Sequence, residues 1–176
     1  MTINRSLVIK ASLAVLIAAL LYAGTTFISP LAKGEKIYRD KVSGASFRYP
    51  SYFRDPKTEK SFTVFDSEQY KLSFKAGSLS EYSAPIDQVK SEVGKENYIS
   101  INDLPNGLKS YVRFKISKER TGEIFAIIPG NKDDAVEISV ASKKQLGEPT
   151  DEVTISEIAN IKELATKIIS SLEMKK

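Results

Sequence analysis

The sequence predicts an α+β fold, in which a mostly antiparallel sheet is flanked by helices, behind an N-terminal transmembrane helix. Residues 11–28 form an uncharged, largely apolar run, which is the pattern of a membrane span. Between residues 46 and 140, short segments alternate polar and apolar residues, as half-buried strands do. Turn signals separate these segments closely, and two other segments repeat apolar residues at helical spacing, so hairpins and separate helices are expected.

The N-terminal segment has the pattern of an export signal. Residues 1–10 contain Arg5 and Lys10 and no acidic residue, and they precede the apolar run of residues 11–28. The run is just long enough to span the hydrocarbon core, and Tyr22 and Phe27 would sit toward the outer interface. The positive-inside rule then predicts a cytoplasmic basic head at residues 1–10 and a domain on the extracytoplasmic side.

Cleavage of this segment would turn an anchor into a leader peptide. Signal peptidase requires small residues one and three positions before the cut. A cut after Ala23 would place Leu21 at the third position, and a cut after Ala32 would place Pro30 there. We therefore predict an uncleaved signal anchor at residues 11–28, and a cleaved signal peptide is the alternative.

The chain after the anchor divides into a linker and one domain. Residues 29–36 contain Pro30 and Gly34, which favour a loop over regular structure, so we predict a linker there. Residues 37–176 then form the extracytoplasmic domain, whose length is common for one compact unit. A chain of this length can bury enough surface to fold without a disulfide or a metal ion.

The first part of the domain predicts three strands. Residues 46–49 place Phe47 and Tyr49 on one face, before Pro50 ends the strand. Two more strands are predicted at residues 61–65, with Phe62 and Val64 inward, and at residues 70–75, with Tyr70, Leu72 and Phe74 on one face.

A first helix is predicted after these strands. Ser83 is the expected N-cap, Pro85 fits the first turn, and Gly94 is the expected end. Ile86 and Val89 recur at helical spacing, so this helix should have one apolar face.

The second part of the domain predicts four strands with a hairpin turn near residues 104–107. The strand at residues 109–116 points Val112, Phe114 and Ile116 inward. The strand at residues 123–128 is apolar on both faces, which is typical of a central strand covered on both sides. The other two strands are predicted at residues 98–101 and 136–140.

The chain ends in a predicted amphipathic helix. Thr154 and Glu157 have the spacing of a capping box. The helix should cover one face of the sheet, and packing against a partner helix is the alternative. Its apolar stripe consists of Ile158, Ile161, Ala165, Ile168 and Leu172.

The composition limits the chemistry that the protein can perform. The 176-residue chain has no cysteine and no histidine, so it cannot form disulfides, thiolate zinc sites or a Ser-His-Asp triad. Its net charge is +4, but basic and acidic residues are nearly balanced and interspersed after residue 30. We therefore expect no enzymatic activity, no cofactor, no metal site and no nucleic-acid partner.

Three segments resemble the PsbP family. Residues 46–53 contain an aromatic-x-Tyr-Pro segment followed by a bulky aromatic residue, similar to an early strand of that family. Residues 101–114 resemble its middle strand–turn–strand. Residues 123–140, followed by a helix that ends with residues 168–172, resemble its closing element. The resemblance extends over residues 37–173.

The resemblance implies a fold and a general mode of action. PsbP proteins form an α/β/α sandwich, which they share with a eukaryotic nuclear import factor that binds the Ran GTPase. Family members are extrinsic, non-catalytic accessory proteins of the photosynthetic oxygen-evolving complex, and many bacterial relatives have no known role. This chain has none of the histidines that some members are thought to use for metal. No functional residue is therefore transferred from the family.

Two functional hypotheses follow. In the first, the protein is a membrane-anchored, extracytoplasmic, non-catalytic accessory domain that engages a membrane-associated protein partner. The aromatic cluster of Tyr49, Tyr52 and Phe53 is the candidate partner surface, and a place in the core is the alternative for these rings. In the second, the protein is an exported soluble protein that binds a small ligand or a lipid after its signal peptide is cleaved.

Overall fold

The computed structural model describes residues 34–93, 99–148 and 150–174, and it confirms an α+β fold with a mostly antiparallel sheet. The strands in this part of the chain are β1 (Glu35–Arg39), β2 (Ser46–Pro50), β3 (Lys57–Glu59), β4 (Phe62–Asp66), β5 (Tyr70–Ser78), β6 (Ile99–Asp103), β7 (Lys109–Ile116), β8 (Thr121–Pro129) and β9 (Asp134–Gln145). The helices are α1 (Leu79–Glu92) and α2 (Glu152–Ser170).

The predicted basic head and anchor lie outside the described residues, as does most of the predicted linker. Neither α1 nor α2 is long and apolar enough to cross a membrane, and no other helix is found in the described residues.

The strands form two sheets, and all of their pairs are antiparallel. The larger sheet has seven strands in the order β3-β4-β5-β9-β8-β7-β6, so β9 lies at its centre. β1 and β2 form a separate hairpin sheet. Hairpin connections join β3 to β4, β4 to β5, β6 to β7, β7 to β8 and β8 to β9, which explains why short turns in the sequence indicated antiparallel pairing.

The two helices pack on opposite faces of the large sheet, and β8 shows how the sequence arranges this. Because successive side chains of a strand point to opposite faces, β8 presents Ile124 on one side and Ile127 on the other. Ile127 packs in a cluster with Tyr82 and Ile86 of α1. On the opposite face α2 lies against β8 and β9. The expectation that this strand is covered on both sides is therefore confirmed.

The β1–β2 hairpin covers the rest of the α2 face, above β4 and β5. Tyr38 and Phe47 from the hairpin contact Phe74, with ring centroids 5.5 Å away in each case. Phe65 lies within 5.1 Å of Tyr38. The hairpin also joins the end of the chain through a bridge between Ser46 and Glu173. Aromatic rings therefore form this half of the core.

The start of α1 differs from the prediction. The helix begins after Ser78 rather than at Ser83, and Pro85 lies inside it. β5 passes directly into α1 because Leu79 packs against the core and its backbone N–H donates to Asp133 O at 3.2 Å. This tertiary anchoring outweighs the one helical hydrogen bond that Pro85 cannot donate.

The capping box predicted for α2 is wrong. Asp151 is the N-cap, and its carboxylate accepts from the Val153 N–H at 3.1 Å. Thr154 instead accepts from the Gly147 N–H at 2.7 Å, and Glu157 is buried under the sheet. The predicted stripe largely holds, with Ile158 only half-buried and two further residues, Leu164 and Ile169, buried beside it.

Two strands were not predicted from the sequence, and two side chains differ from the prediction in their burial. β1 begins at Glu35, inside the predicted linker, and β3 consists of charged and polar residues that are all exposed. Phe65, expected on the outer face, is fully buried because the β1–β2 hairpin covers it. Ile116, expected in the core, is half exposed because it lies at the end of β7.

Candidate functional site

A groove lies on the α2 face of the large sheet. α2 packs mainly on β8, β9 and β2, so the floor formed by β6 and β7 extends beyond the helix. The groove between α2 and these two strands has a volume of about 530 Å³. This volume is within the usual range for small-molecule sites, and an open trough of this kind can also receive a segment of another protein.

The groove has an apolar floor and a polar rim. Strand alternation on β7 and β8 directs Val112, Phe114 and Ile124 to the floor, and Ala165 and Ile169 of α2 form the wall. Its ionisable lining residues are Lys162 and Asp103, and the other polar lining residues are Ser100, Asn102, Ser110, Thr166 and Ser170. Such a surface favours apolar contact with orienting hydrogen bonds at the edge.

Gly122 lets α2 approach β8 closely beside the groove. A Cβ at this position would lie 2.9 Å from Ile161 Cδ1 and 3.2 Å from the Phe114 ring. The missing side chain therefore lets α2 approach β8 closely at a point where β7 carries its largest buried ring. This approach holds α2 over β8 and leaves a groove between α2 and strands β6 and β7.

A second, charged groove of about 490 Å³ adjoins the first, and Pro105 and Ser170 border both. Glu35 lies in it and pairs with Lys167 at 3.2 Å and with Arg48 at 3.8 Å. Because β1 starts at Glu35, the first strand of the domain begins at the charged groove.

A smaller, charged pocket of about 340 Å³ lies elsewhere on the surface, near β3, β4 and the end of β9. Two ion pairs lie in it: Lys143 contacts Asp66 at 2.6 Å, and Lys71 contacts Glu59 at 3.1 Å. Hydrogen bonding from Lys143 holds the pKa of Asp66 below its usual value. Because exposed, mutually paired charges contribute little net attraction, this pocket is a weaker candidate than the apolar groove.

No group of three or more acidic side chains is placed to share a metal ion anywhere in the described ranges. Glu137 has a raised pKa because it is partly buried, and Lys75 opposes that effect. It lies on the sheet face that carries α1, opposite the groove, so it contributes nothing to the groove's chemistry.

The structure places the aromatic cluster in the core rather than at a surface. Tyr49 is 4% exposed and Phe53 is 1% exposed. Tyr49 packs on Phe65 at 4.7 Å, and Tyr52 stacks on Phe53 at 5.0 Å. The Tyr52 ring is half-buried, and its hydroxyl is enclosed without a hydrogen-bond partner in the described structure. These rings therefore offer little surface to a partner.

Buried tyrosines predict a loss of stability at high pH. Burial raises the pKa of Tyr38, Tyr49, Tyr70 and Tyr82, and it raises the pKa of Tyr52 to about 12. A raised folded-state pKa means that the stabilising effect is complete below the unfolded value, about pH 10, and is lost as the pH rises toward 12. For Tyr52 alone the expected loss is about 1.4 kcal/mol per pH unit in that window.

Denaturant unfolding between pH 9 and pH 12 measures this loss, with tyrosinate absorbance recorded in parallel. Tyr52→Phe is the matched control because it removes only the enclosed hydroxyl, and its stability should fall less steeply over the same window. Ionisation of Tyr52 near pH 10 in a folded domain would contradict the prediction.

The groove was not predicted from the sequence. Most of its residues come from β6, β7, β8 and α2, and they are up to 71 positions apart in the chain. The one indication in the local sequence was the apolar stripe of α2. With Ile169, which is also buried, the stripe is wider than packing on β8 and β9 requires. A wide stripe indicates that α2 has a further contact surface, but it does not show that β6 and β7 lie opposite that surface.

Comparison with known proteins finds similarity in structure only. No protein family and no curated protein sequence matches this chain. The Saccharomyces cerevisiae Ran-binding protein Mog1p superposes with a TM-score of 0.54 at 8% identity, covering 81% of this chain and 96% of Mog1p. A point mutant of Mog1 gives a TM-score of 0.52 at 8% identity, covering 80% of this chain and 96% of its own. At this level of identity, the likeness shows that the chain has the fold of the Mog1 structures.

Proposed function

We propose that this protein is a membrane-anchored, extracytoplasmic, non-catalytic accessory domain that binds a membrane-associated protein partner in the groove between α2 and strands β6 and β7. The observation that carries the proposal is the groove beside α2, whose apolar floor is formed by Val112, Phe114 and Ile124. A partner segment with apolar side chains toward this floor and polar groups toward the rim would complete the layer that α2 begins.

Two further observations support a binding role. The Mog1p structure is that of a Ran-binding protein, so a protein with this fold can bind another protein. The resemblance to the PsbP family also favours an accessory role, and we propose that the domain is a divergent PsbP-like sandwich. The lining of the groove offers hydroxyls, amides and a single lysine and aspartate, which suits binding better than acid–base chemistry.

The proposed anchor would tether the domain to the membrane through a short segment. If residues 11–28 span the bilayer, only a short stretch of chain separates them from Glu35, where the domain starts. Glu35 borders the charged groove that continues into the apolar one. The anchor would therefore keep the domain at the membrane, where the proposed partner lies.

The groove is tested with Thr166→Arg in the full-length protein. Thr166 is exposed on α2 and lines the groove, so the longer cationic side chain should block the floor without disturbing the core. Ser156→Arg on the same helix is the matched control because Ser156 is also exposed and lies outside the groove. We expect cross-linking in the native membrane to recover one dominant protein with wild type and Ser156→Arg, and at least about tenfold less with Thr166→Arg.

Equal recovery of that protein with both variants would refute the groove as the binding site. Unfolding midpoints of the two variants, which should agree with wild type, separate loss of binding from loss of folding.

The second candidate is an exported soluble protein for a small ligand or lipid, and the size and apolar floor of the same groove favour it. The mass of the mature protein separates the two candidates, since cleavage of a signal peptide would remove about 2–3 kDa. Stabilisation by an apolar small molecule that Thr166→Arg abolishes would support the second candidate.

A further inference from the structure

The two edges of the large sheet are built differently. β3 forms one edge with only three residues, Lys57, Thr58 and Glu59, all exposed. β6 forms the other edge with five residues, pairs with β7 without a bulge, and contains no lysine or proline. Short, charged edge strands resist pairing with another strand, whereas a longer, regular edge with a single charge, at Asp103, is more open to it. In the described structure, β6 has no strand on its outer side.

The hairpin that follows β6 shows which backbone groups face outward. Leu104 N–H donates to Leu108 O at 2.8 Å, so Leu104 and Leu108 are a hydrogen-bonded pair. Hydrogen-bonded and non-bonded pairs alternate along an antiparallel ladder. In the register of β6 and β7, the backbone groups of Ser100 and Asn102 therefore point to β7, and those of Ile99, Ile101 and Asp103 point outward.

The hairpin between β7 and β8 independently shows which backbone groups of β6 face outward. Ser117 N–H donates to Thr121 O at 2.9 Å, which makes Tyr111 with Ile127 a hydrogen-bonded pair of β7 and β8. Tyr111 is also the residue opposite Ile101. Since Tyr111 directs its backbone groups to β8, it cannot pair with those of Ile101. The outward direction of the Ile101 N–H and C=O therefore follows from two independent bonds.

We propose that two copies of this protein pair through β6, antiparallel and about a two-fold axis at Ile101. The outward residues lie symmetrically about Ile101, so the axis places Ile101 opposite its equivalent and Ile99 opposite Asp103 of the second copy. Each such pair exchanges two backbone bonds, about six in total. The contact also covers the Ile101 side chain, which is 37% exposed at the edge.

The edge formed by β3 explains why the assembly stops at a dimer. A head-to-tail contact of β6 on β3 would continue into a filament, but β3 is too short and too charged to accept it. A symmetric β6 contact satisfies both copies at once. An axis perpendicular to the sheet keeps both α2 helices on the same side, so the floors of the two grooves become one surface across four strands.

The absence of cysteine from the chain allows a test of the register. In the full-length protein in detergent, Ile101→Cys should form a disulfide-linked dimer on mild oxidation, since directly opposed Cα atoms lie about 5.5 Å apart. Asp103→Cys is the matched control on the same exposed edge. Its equivalents would lie four residues out of register, displaced by about 13 Å along the strand, and should cross-link at least about tenfold more slowly.

Ile101→Pro provides the second variant. It removes the outward N–H and leaves the bonds to β7 in place, so it should fold and sediment as a monomer where wild type is a dimer. Three results would overturn the proposal: a monomeric wild type, equal cross-linking of Ile101→Cys and Asp103→Cys, or a dimer that persists in a folded Ile101→Pro variant. The inference does not depend on the proposed partner, and Thr166→Arg should leave this dimer intact.

Discussion

Phe65→Ala is expected to lower the free energy of unfolding by about 3–5 kcal/mol, the range for a fully buried phenylalanine that leaves a cavity. Phe65 has no exposed surface. Its ring lies 4.7 Å from Tyr49, 5.1 Å from Tyr38 and 5.7 Å from Phe47. These rings come from the β1–β2 hairpin, so the cavity would open between the hairpin and the large sheet and neither side could close over it.

Denaturant unfolding followed by circular dichroism measures this effect. Val42→Ala is the control because Val42 is 94% exposed, and it should change the unfolding free energy by less than about 0.5 kcal/mol. If Phe65→Ala cost no more than Val42→Ala, the hairpin would not be part of the folded core. Loss of the hairpin alone would instead appear as a separate, earlier transition.

Glu157→Ala is expected to lower the free energy of unfolding by about 2–4 kcal/mol because it leaves two buried partners without an acceptor. Glu157 is 8% exposed and accepts a 2.7 Å bond from Ser142 Oγ, which is itself 2% exposed. The Tyr70 hydroxyl interacts with the same carboxylate. The carboxylate therefore links α2 to β5 and β9 inside the core.

Two variants separate hydrogen bonding from charge and helix effects. Glu157→Gln keeps an acceptor oxygen of similar shape and should recover at least half of the loss caused by Glu157→Ala. Glu163→Ala, at an exposed position of α2, should change stability by less than about 0.5 kcal/mol. An equal effect of Glu157→Ala and Glu163→Ala in urea unfolding would show that the buried network contributes nothing.

Local patterns were sufficient for most of the regular elements. β2 and β5 alternate apolar and polar residues, and each buries the predicted face because one side packs on the core while the other does not. β8 is apolar on both faces and is covered by both helices, as its composition indicates. For these strands, the periodicity of the sequence was enough to predict which faces are buried.

Other elements depend on partners that are distant in the chain. β3 contains only Lys57, Thr58 and Glu59, and it is a strand because β4 offers an open edge. β1 exists because Tyr38 packs on Phe65 and Phe74. The buried Glu157 looked like a capping residue because its spacing from Thr154 fits that role equally well. In each case the deciding contact is absent from the local sequence.

The sequence by itself determined the α+β class, the antiparallel connections and the missing catalytic residue types, since each follows from periodicity, turn length or composition. The tertiary structure alone decided that Tyr49 and Phe53 are core residues, because their burial requires the β1–β2 hairpin to fold onto β4 and β5. It also decided where the groove lies. The groove exists because the sheet is two strands wider than α2 can cover, and the width of a sheet depends on strand pairing that no single segment encodes.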